Sequence, residues 1–169
     1  MSRLQGCGTA LVTPFTADGS VDFPALRSLV DWQITEGIDF LVACGSTGEA
    51  QTLDVSEREQ VVAAVLEAAG RRVPVMAGAT SNDTATAVEE TRRMCRLGTD
   101  YVLSATPYYN KPGPEGLFRH FTAVADATGD LEVTDAAVVL ATHDRQLRRD
   151  VAGWKHLNLT VNRADREVA

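Results

Sequence analysis

Four short, uninterrupted apolar runs recur along the chain, at residues 9–12, 40–44, 73–77 and 101–104, each followed by a segment with helical periodicity. A spacing of about 30 residues is that of a strand followed by a crossover helix, and strands apolar at every position fit a parallel sheet buried on both faces. The pattern therefore reads as βα repeated four times. The polar residues between the runs punctuate the helices. Asp22 can cap the first, with Pro24 in its opening turn, an apolar stripe of Leu26, Leu29, Val30 and Ile34, and Gly37 as its stop. Asp54 offers a cap for the second and Ser56-x-x-Glu59 a capping box, with Gly70 closing it. The third begins near Asn82 and Asp83 and ends at Gly98, and the fourth runs from Glu115 to about Thr128. After Gly129 the register changes: residues 136–141 read as a fifth strand, 144–151 as a short helix and 154–161 as a last strand. The expected organisation is one α/β unit over residues 1–129 and a separate tail over 130–169.

In a parallel sheet all strand C-termini point the same way, so the segments after the four strands share one rim, where such sheets keep their chemistry. These segments hold Thr13-Pro14, Gly45-Ser46-Thr47-Gly48-Glu49, Gly78-Ala79-Thr80 and Thr106-Pro107-Tyr108-Tyr109-Asn110. Glycines and hydroxyl residues after the second strand can aim backbone N–H groups at a small anion. Taken alone, that stretch reads equally as a tight strand-to-helix turn, since turns favour Gly, Pro, Ser and Asn. Turn preference does not account for the adjacent Tyr108 and Tyr109.

Composition narrows the function classes. With 44% hydrophobic and 23% charged residues, the 169-residue chain has the makeup of a globular domain. A net charge of −7 argues against nucleic acid as a partner, because phosphate neutralisation needs clustered Lys and Arg. Arg145, Arg148 and Arg149 read as a solvated helix face. Cys7, Cys44 and Cys95, unpaired by spacing, read as buried, reduced thiols of a cytoplasmic protein. No stretch has the roughly 18 apolar residues of a membrane span, and no signal peptide precedes Gly6. His143, Asp144 and His156 lack metal-site spacing, so no metal is expected. Nucleophile-elbow, dinucleotide and phosphate-loop glycine motifs are all missing, and no cofactor is implied.

From residue 6 to about 128 the chain resembles the dihydrodipicolinate synthase and N-acetylneuraminate lyase family of Schiff-base aldolases. The residues that carry this are Gly8-Thr-Ala-Leu-Val-Thr-Pro-Phe15, Gly45-Ser-Thr-Gly-Glu49, Val75-Met-Ala-Gly78, Thr106-Pro-Tyr-Tyr-Asn-Lys-Pro112 and Glu115-Gly-Leu-Phe-Arg-His-Phe121. The Pro-Tyr-Tyr-Asn-Lys-Pro form is similar to the lysine-pathway branch, which condenses pyruvate with aspartate semialdehyde. The resemblance implies a (β/α)8 TIM barrel and a homo-oligomer, a dimer or dimer of dimers. It implies that Ser46 and Thr47, with the amides of their loop and Gly48, hold the pyruvate carboxylate. By the same resemblance Tyr109, passed to a neighbouring subunit, completes a proton relay with Ser46, and Tyr108 lines the same region; a phenol can donate and accept at once.

The departures are specific. Ser46 stands where the lysine-pathway branch usually has Thr, which keeps the hydroxyl and loses a methyl that restricts its rotamer. In the family's regulatory lysine pocket Asn82 and Tyr108 match, whereas Val55 and Thr86 replace charged or imidazole groups. An eight-stranded barrel takes roughly 250 residues, and the family's Schiff-base lysine lies on its sixth strand. Here only about four βα units are expected, and the two lysines, Lys111 and Lys155, do not fall in the family's lysine segment. With 138–140 laid on the fifth strand, Ala141 takes the place of the second relay tyrosine. The tail weakly resembles the end of an ATP-binding-cassette ATPase, in Ala137-Val-Val-Leu-Ala-Thr-His143-Asp144, without a phosphate cradle; a junction near Gly129 accounts for the change. Two expectations follow: a lyase of this family whose covalent lysine is absent from these residues, or a non-catalytic unit that binds a small carboxylate or pairs with a related subunit.

Overall fold

The structure, a computed structural model, describes residues 4–129 and 137–141. In chain order it contains β1 (Gly8–Ala10), α1 (Phe23–Thr35), β2 (Phe40–Ala43), α2 (Val55–Ala69), β3 (Val75–Gly78), α3 (Thr84–Leu97), β4 (Tyr101–Ala105), α4 (Pro114–Gly129) and β5 (Ala137–Ala141). The five strands form one parallel sheet in the order of the sequence. Neighbours in space are thus neighbours in sequence, joined through a helix each time, which is the winding of the (β/α)8 TIM-barrel family rather than of an open sheet with a reversal point. The fifth strand expected at 136–141 is present as β5, paired in parallel with β4. The helix and strand read at 144–151 and 154–161, and the segment 131–135, lie outside the described residues.

Local chemistry sets the helix ends. Asp22 accepts from the Ala25 amide at 2.9 Å, Asp83 from the Thr86 amide at 2.8 Å, and Gly70 and Gly98 close α2 and α3 at φ 54° and 89°. The capping box of α2 is formed by Asp54 and Glu57, which exchange hydrogen bonds of 2.8 Å. The Ser56–Glu59 box is not formed, because Asp54 has already started the helix and Ser56 sits inside it; Ser56 accepts from Gln60, and Glu59 pairs with Arg93.

Among the described residues only one face of the sheet is fully buried, which corrects the expectation of two. Leu11, Leu41, Ala43, Val75, Ala77 and Val102 pack among side chains of α1, α2 and α3 as a single core. The intervening residues Phe40, Val42 and Leu103 point the other way and are half-buried, and Val12 is 51% exposed. Leu4 closes the lower end of this second face against Met76 and Tyr101. Among the described residues the helices cover one face of the sheet, the face that lies outside in a (β/α)8 barrel. A second correction concerns Cys7, which is exposed just before β1, with its N–H on the Asp39 carboxylate at 2.7 Å; Cys44 and Cys95 are buried as expected.

Candidate active site

At the C-terminal ends of β2, β3 and β4 lies a cavity of about 330 Å³. Its wall includes Ser46 from the loop after β2, Gly78 and Thr80 from the end of β3, Leu103 of β4, and Tyr108 from the loop after β4. The rim predicted from the strand polarity therefore exists, and it brings Ser46 and Tyr108 to one cavity. Thr47 is exposed on the same turn and Gly48 is buried beneath it; neither lines the cavity, and neither does Tyr109.

The loop after β2 is clamped from both sides. Thr13, buried beyond β1, donates its hydroxyl to the Gly48 carbonyl at 2.7 Å, and a Cβ on Gly48 would stand 3.0 Å from the Leu11 carbonyl oxygen. On the β3 side a Cβ on Gly78 would fall 2.1 Å from the Cys44 carbonyl oxygen, so only glycine lets the two backbones approach this closely. The turn itself is closed by the amides of Gly48 and Glu49, which donate to the carbonyls of Gly45 and Ser46 at 3.1 and 3.2 Å. Among the described residues the amides and hydroxyls of Ser46 and Thr47 are left without a protein partner. Two N–H groups and two hydroxyls on one glycine-framed turn are a donor set of the kind that can receive a small anion.

The loop after β4 is built by a different device. The Asn110 amide donates to the Tyr108 carbonyl at 2.8 Å, two residues back, and Tyr109 between them has φ 67°. This is the strained form of the γ-turn, uncommon for a residue with a side chain. Asn110 pins it by donating from Nδ2 to the Asn82 carbonyl at 3.0 Å. The turn sends the two tyrosines different ways. Tyr108, 45% exposed, donates its hydroxyl to Gln51 at 3.1 Å on the cavity wall, and Tyr109 projects into solvent at 91% exposure.

Arg58 is a site residue that the sequence reading missed. It reaches the cavity from the first turn of α2, is partly buried, and pairs with the more deeply buried Glu90 of α3. The signal lay in α3, where Glu90 occupies the stripe of Ala87, Thr91, Met94 and Cys95 that faces inward, a position a carboxylate takes only with a partner. The pair leaves little net charge at the cavity base. Beside it, burial pushes the Cys44 thiol up to about 12, with Glu90 adding to the rise and Arg58 opposing it. Cys44 is thus a protonated, packed thiol and not a nucleophile. Among the described residues no three His, Cys, Asp or Glu side chains are grouped to hold a metal ion, and no helix is long and apolar enough to cross a membrane. Lys111 is exposed on the rim loop at φ 42°, whereas Lys155, His143, Asp144 and His156 lie outside the described residues.

Comparison with known proteins agrees with this geometry. The profile of the Dihydrodipicolinate synthetase family matches residues 3–134. The 4-hydroxy-tetrahydrodipicolinate synthase of Koribacter versatilis is 57% identical over 126 residues, covering 74% of this chain and 42% of that protein. The enzyme of the same name from an Acidovorax species is 50% identical over 170 aligned residues, covering 95% of this chain and 57% of its own. The chain thus spans about half the length of the curated relatives it matches. Among solved structures, the chloride-inhibited dihydrodipicolinate synthase from Acinetobacter baumannii, complexed with pyruvate, aligns with a TM-score of 0.75 at 43% identity, covering 80% of this chain and 45% of that one. A parallel sheet wound in sequence order, a glycine-clamped loop at its C-terminal rim and a family match over most of the chain coincide: the protein belongs to the Dihydrodipicolinate synthetase family.

Proposed function

We propose that the Ser46–Thr47 turn at the edge of the rim cavity takes the carboxylate of pyruvate and that this chain carries the carboxylate-binding part of a cytoplasmic lyase active site. The parent reaction is the condensation of pyruvate with L-aspartate 4-semialdehyde in lysine and diaminopimelate biosynthesis. In that reaction a lysine amine expels the ketone oxygen of pyruvate as water to form an imine. Loss of a methyl proton then gives an enamine, whose carbon attacks the aldehyde. The observation that carries the reading is the turn of Ser46 and Thr47, whose amides and hydroxyls have no protein partner among the described residues, beside a cavity lined by Ser46 and Tyr108. Ser46 and Thr47 hold the carboxylate over Gly48, Ser46 and Tyr109 pass protons, and Tyr108 shapes the wall. Tyr109, turned outward, acts in the neighbouring subunit of a homo-oligomer.

The amine is the part these residues do not supply. Lys111 is carried on the exposed rim loop, and Lys155 belongs to the 130–169 segment, which we assign to a separate unit; its likeness to an ATPase end comes without a phosphate cradle and carries no nucleotide role here. The 169 residues therefore bind pyruvate without fixing it covalently. Calorimetric titration with pyruvate should give saturable binding that Ser46→Ala weakens at least tenfold, and borohydride reduction should leave the mass of the chain unchanged. Absence of binding overturns the carboxylate site, and a reduced adduct on Lys111 or Lys155 overturns the missing nucleophile. Grafting residues 6–128 onto the second half of a lysine-pathway homologue should restore condensation; cleavage of N-acetylneuraminate by the graft would place the chain in the other branch.

A further inference from the structure

The peptide between Gly48 and Glu49 is held in an orientation that strains its own backbone. Glu49 has φ 53°, in the left-handed region that residues with a side chain avoid. The peptides on either side are fixed within the loop: the Gly48 amide donates to the Gly45 carbonyl at 3.1 Å, and the Glu49 carbonyl accepts from the amide and the hydroxyl of Thr52, both at 2.9 Å. A trans peptide points its carbonyl and its N–H in opposite directions. Here the Glu49 N–H reaches the Ser46 carbonyl at 3.2 Å, so the Gly48 carbonyl points away from the turn, into buried space beyond β1, where the Thr13 hydroxyl meets it at 2.7 Å. Flipping this one peptide would return Glu49 to an ordinary negative φ, and Gly48 has no side chain to oppose the rotation. The flip would also break the bond to Ser46 and swing the Gly48 carbonyl, a negative end, into the turn of Ser46 and Thr47.

We infer that Thr13 is a positioning residue for this turn: its hydroxyl selects the orientation of the Gly48–Glu49 peptide that leaves the donors of Ser46 and Thr47 free to receive a carboxylate. The role rests on the carboxylate reading of the turn. Of the two hydrogen bonds on the peptide, the one from Thr13 is the shorter, and it is buried, where a carbonyl deprived of its donor is costly. Thr13 is itself 5% exposed, and its branched Cβ restricts the hydroxyl to few rotamers. The segment that carries it is pinned on both sides. The Leu11 amide donates to the Val42 carbonyl at 2.9 Å, the Asp22 amide donates to the Pro14 carbonyl at 2.8 Å, and Phe15 pairs with Val21. The loop is also pressed onto this wall, since a Cβ on Gly48 would lie 3.3 Å from the Thr13 hydroxyl oxygen.

Calorimetric titration of the full chain with pyruvate, set beside the carbon chemical shifts of Glu49, tests this. Thr13→Ser keeps the hydroxyl and should bind within about twofold of the native chain. Thr13→Val has nearly the same volume without the hydroxyl, and should bind roughly tenfold more weakly or worse with the helical circular dichroism unchanged. In that variant, without ligand, the Glu49 Cα and Cβ shifts should move from left-handed toward extended values, and in Thr13→Ser they should stay. Glu49→Gly removes the cost of positive φ, so in that background Thr13→Val should lose about threefold or less. Should valine prevent folding, Thr13→Ala takes its place against Thr13→Ser. Native-strength binding by Thr13→Val, an equal loss in Thr13→Ser, an unmoved Glu49 signal or a loss undiminished by Glu49→Gly each overturns the role of Thr13 and leaves the carboxylate reading standing. Failure of the native chain to bind pyruvate overturns that reading, and the role with it.

Discussion

The φ of 67° at Tyr109 is one of four positive values taken, among the described residues, by non-glycine residues on the same rim, with Cys44 at 51°, Glu49 at 53° and Lys111 at 42°. Strain of this kind costs of order 1 kcal/mol per residue and persists where surrounding contacts overrule it. At Cys44 and Glu49 the overruling contacts are plain: Gly78 and Thr13 grip the loop between them. At Tyr109 the side chain contributes nothing to its own fold, being 91% exposed, so the strain is held by Asn110 and serves only to present a phenol. Tyr109→Gly should therefore stabilise the chain by about 1 kcal/mol in urea denaturation, since glycine takes positive φ without steric cost. The same substitution in the grafted barrel should abolish condensation. A substitution that stabilises the chain while removing activity separates strain kept for function from strain left over from folding.

Between elements, the packing of α3 against α4 holds a buried imidazole. His120 is 2% exposed, its Nδ1 lies 2.9 Å from the Thr84 hydroxyl, its ring meets Phe121 edge to face, and its Nε2 has no partner among the described residues. Burial holds its pKa below the usual 6.5, with Asp83 at the start of α3 opposing the shift. The neutral ring is thus favoured in the folded state. As pH drops through 6.5 the unfolded chain takes up the proton first, so this contribution is present above that value and is lost below it until the folded-state value is passed. Urea midpoints at pH 7.5 and 5.5, at one protein concentration, should differ less in His120→Asn, which keeps a polar atom for Thr84, than in the native chain. The same scale shows what the sequence disclosed. Caps and stops at Asp22, Asp54, Asp83, Gly70 and Gly98 were legible because each is settled within three or four residues. Ser56–Glu59 was misread because two overlapping boxes were possible and only Asp54 begins the helix. Arg58 and Glu90 are 32 residues apart, and no local rule joins them. On the rim, Ser46 and Tyr108 could be placed from strand polarity alone, but the outward turn of Tyr109 depends on a hydrogen bond from Asn110 to the distant Asn82.

Taken whole, the molecule is a curved sheet with its helices on the outside and an apolar interior that lacks a cover among the described residues. Apolar strands predicted a sheet buried on both sides; the helices account for one, and the other is left to whatever closes the barrel. The two ends of the sheet also differ in their exposure to chemistry. The rim holds Cys44, buried and held in the thiol form, whereas the opposite end presents Cys7 before β1. A disulfide reagent should accordingly titrate one thiol in the native chain and three in guanidinium, counted from the released chromophore. The single reactive sulfur makes the protein its own spectroscopic probe. A nitroxide fixed at Cys7, far from the rim, would give each chain one paramagnetic centre, and a pair of chains would become two electron spins whose dipolar coupling measures their separation without a single substitution.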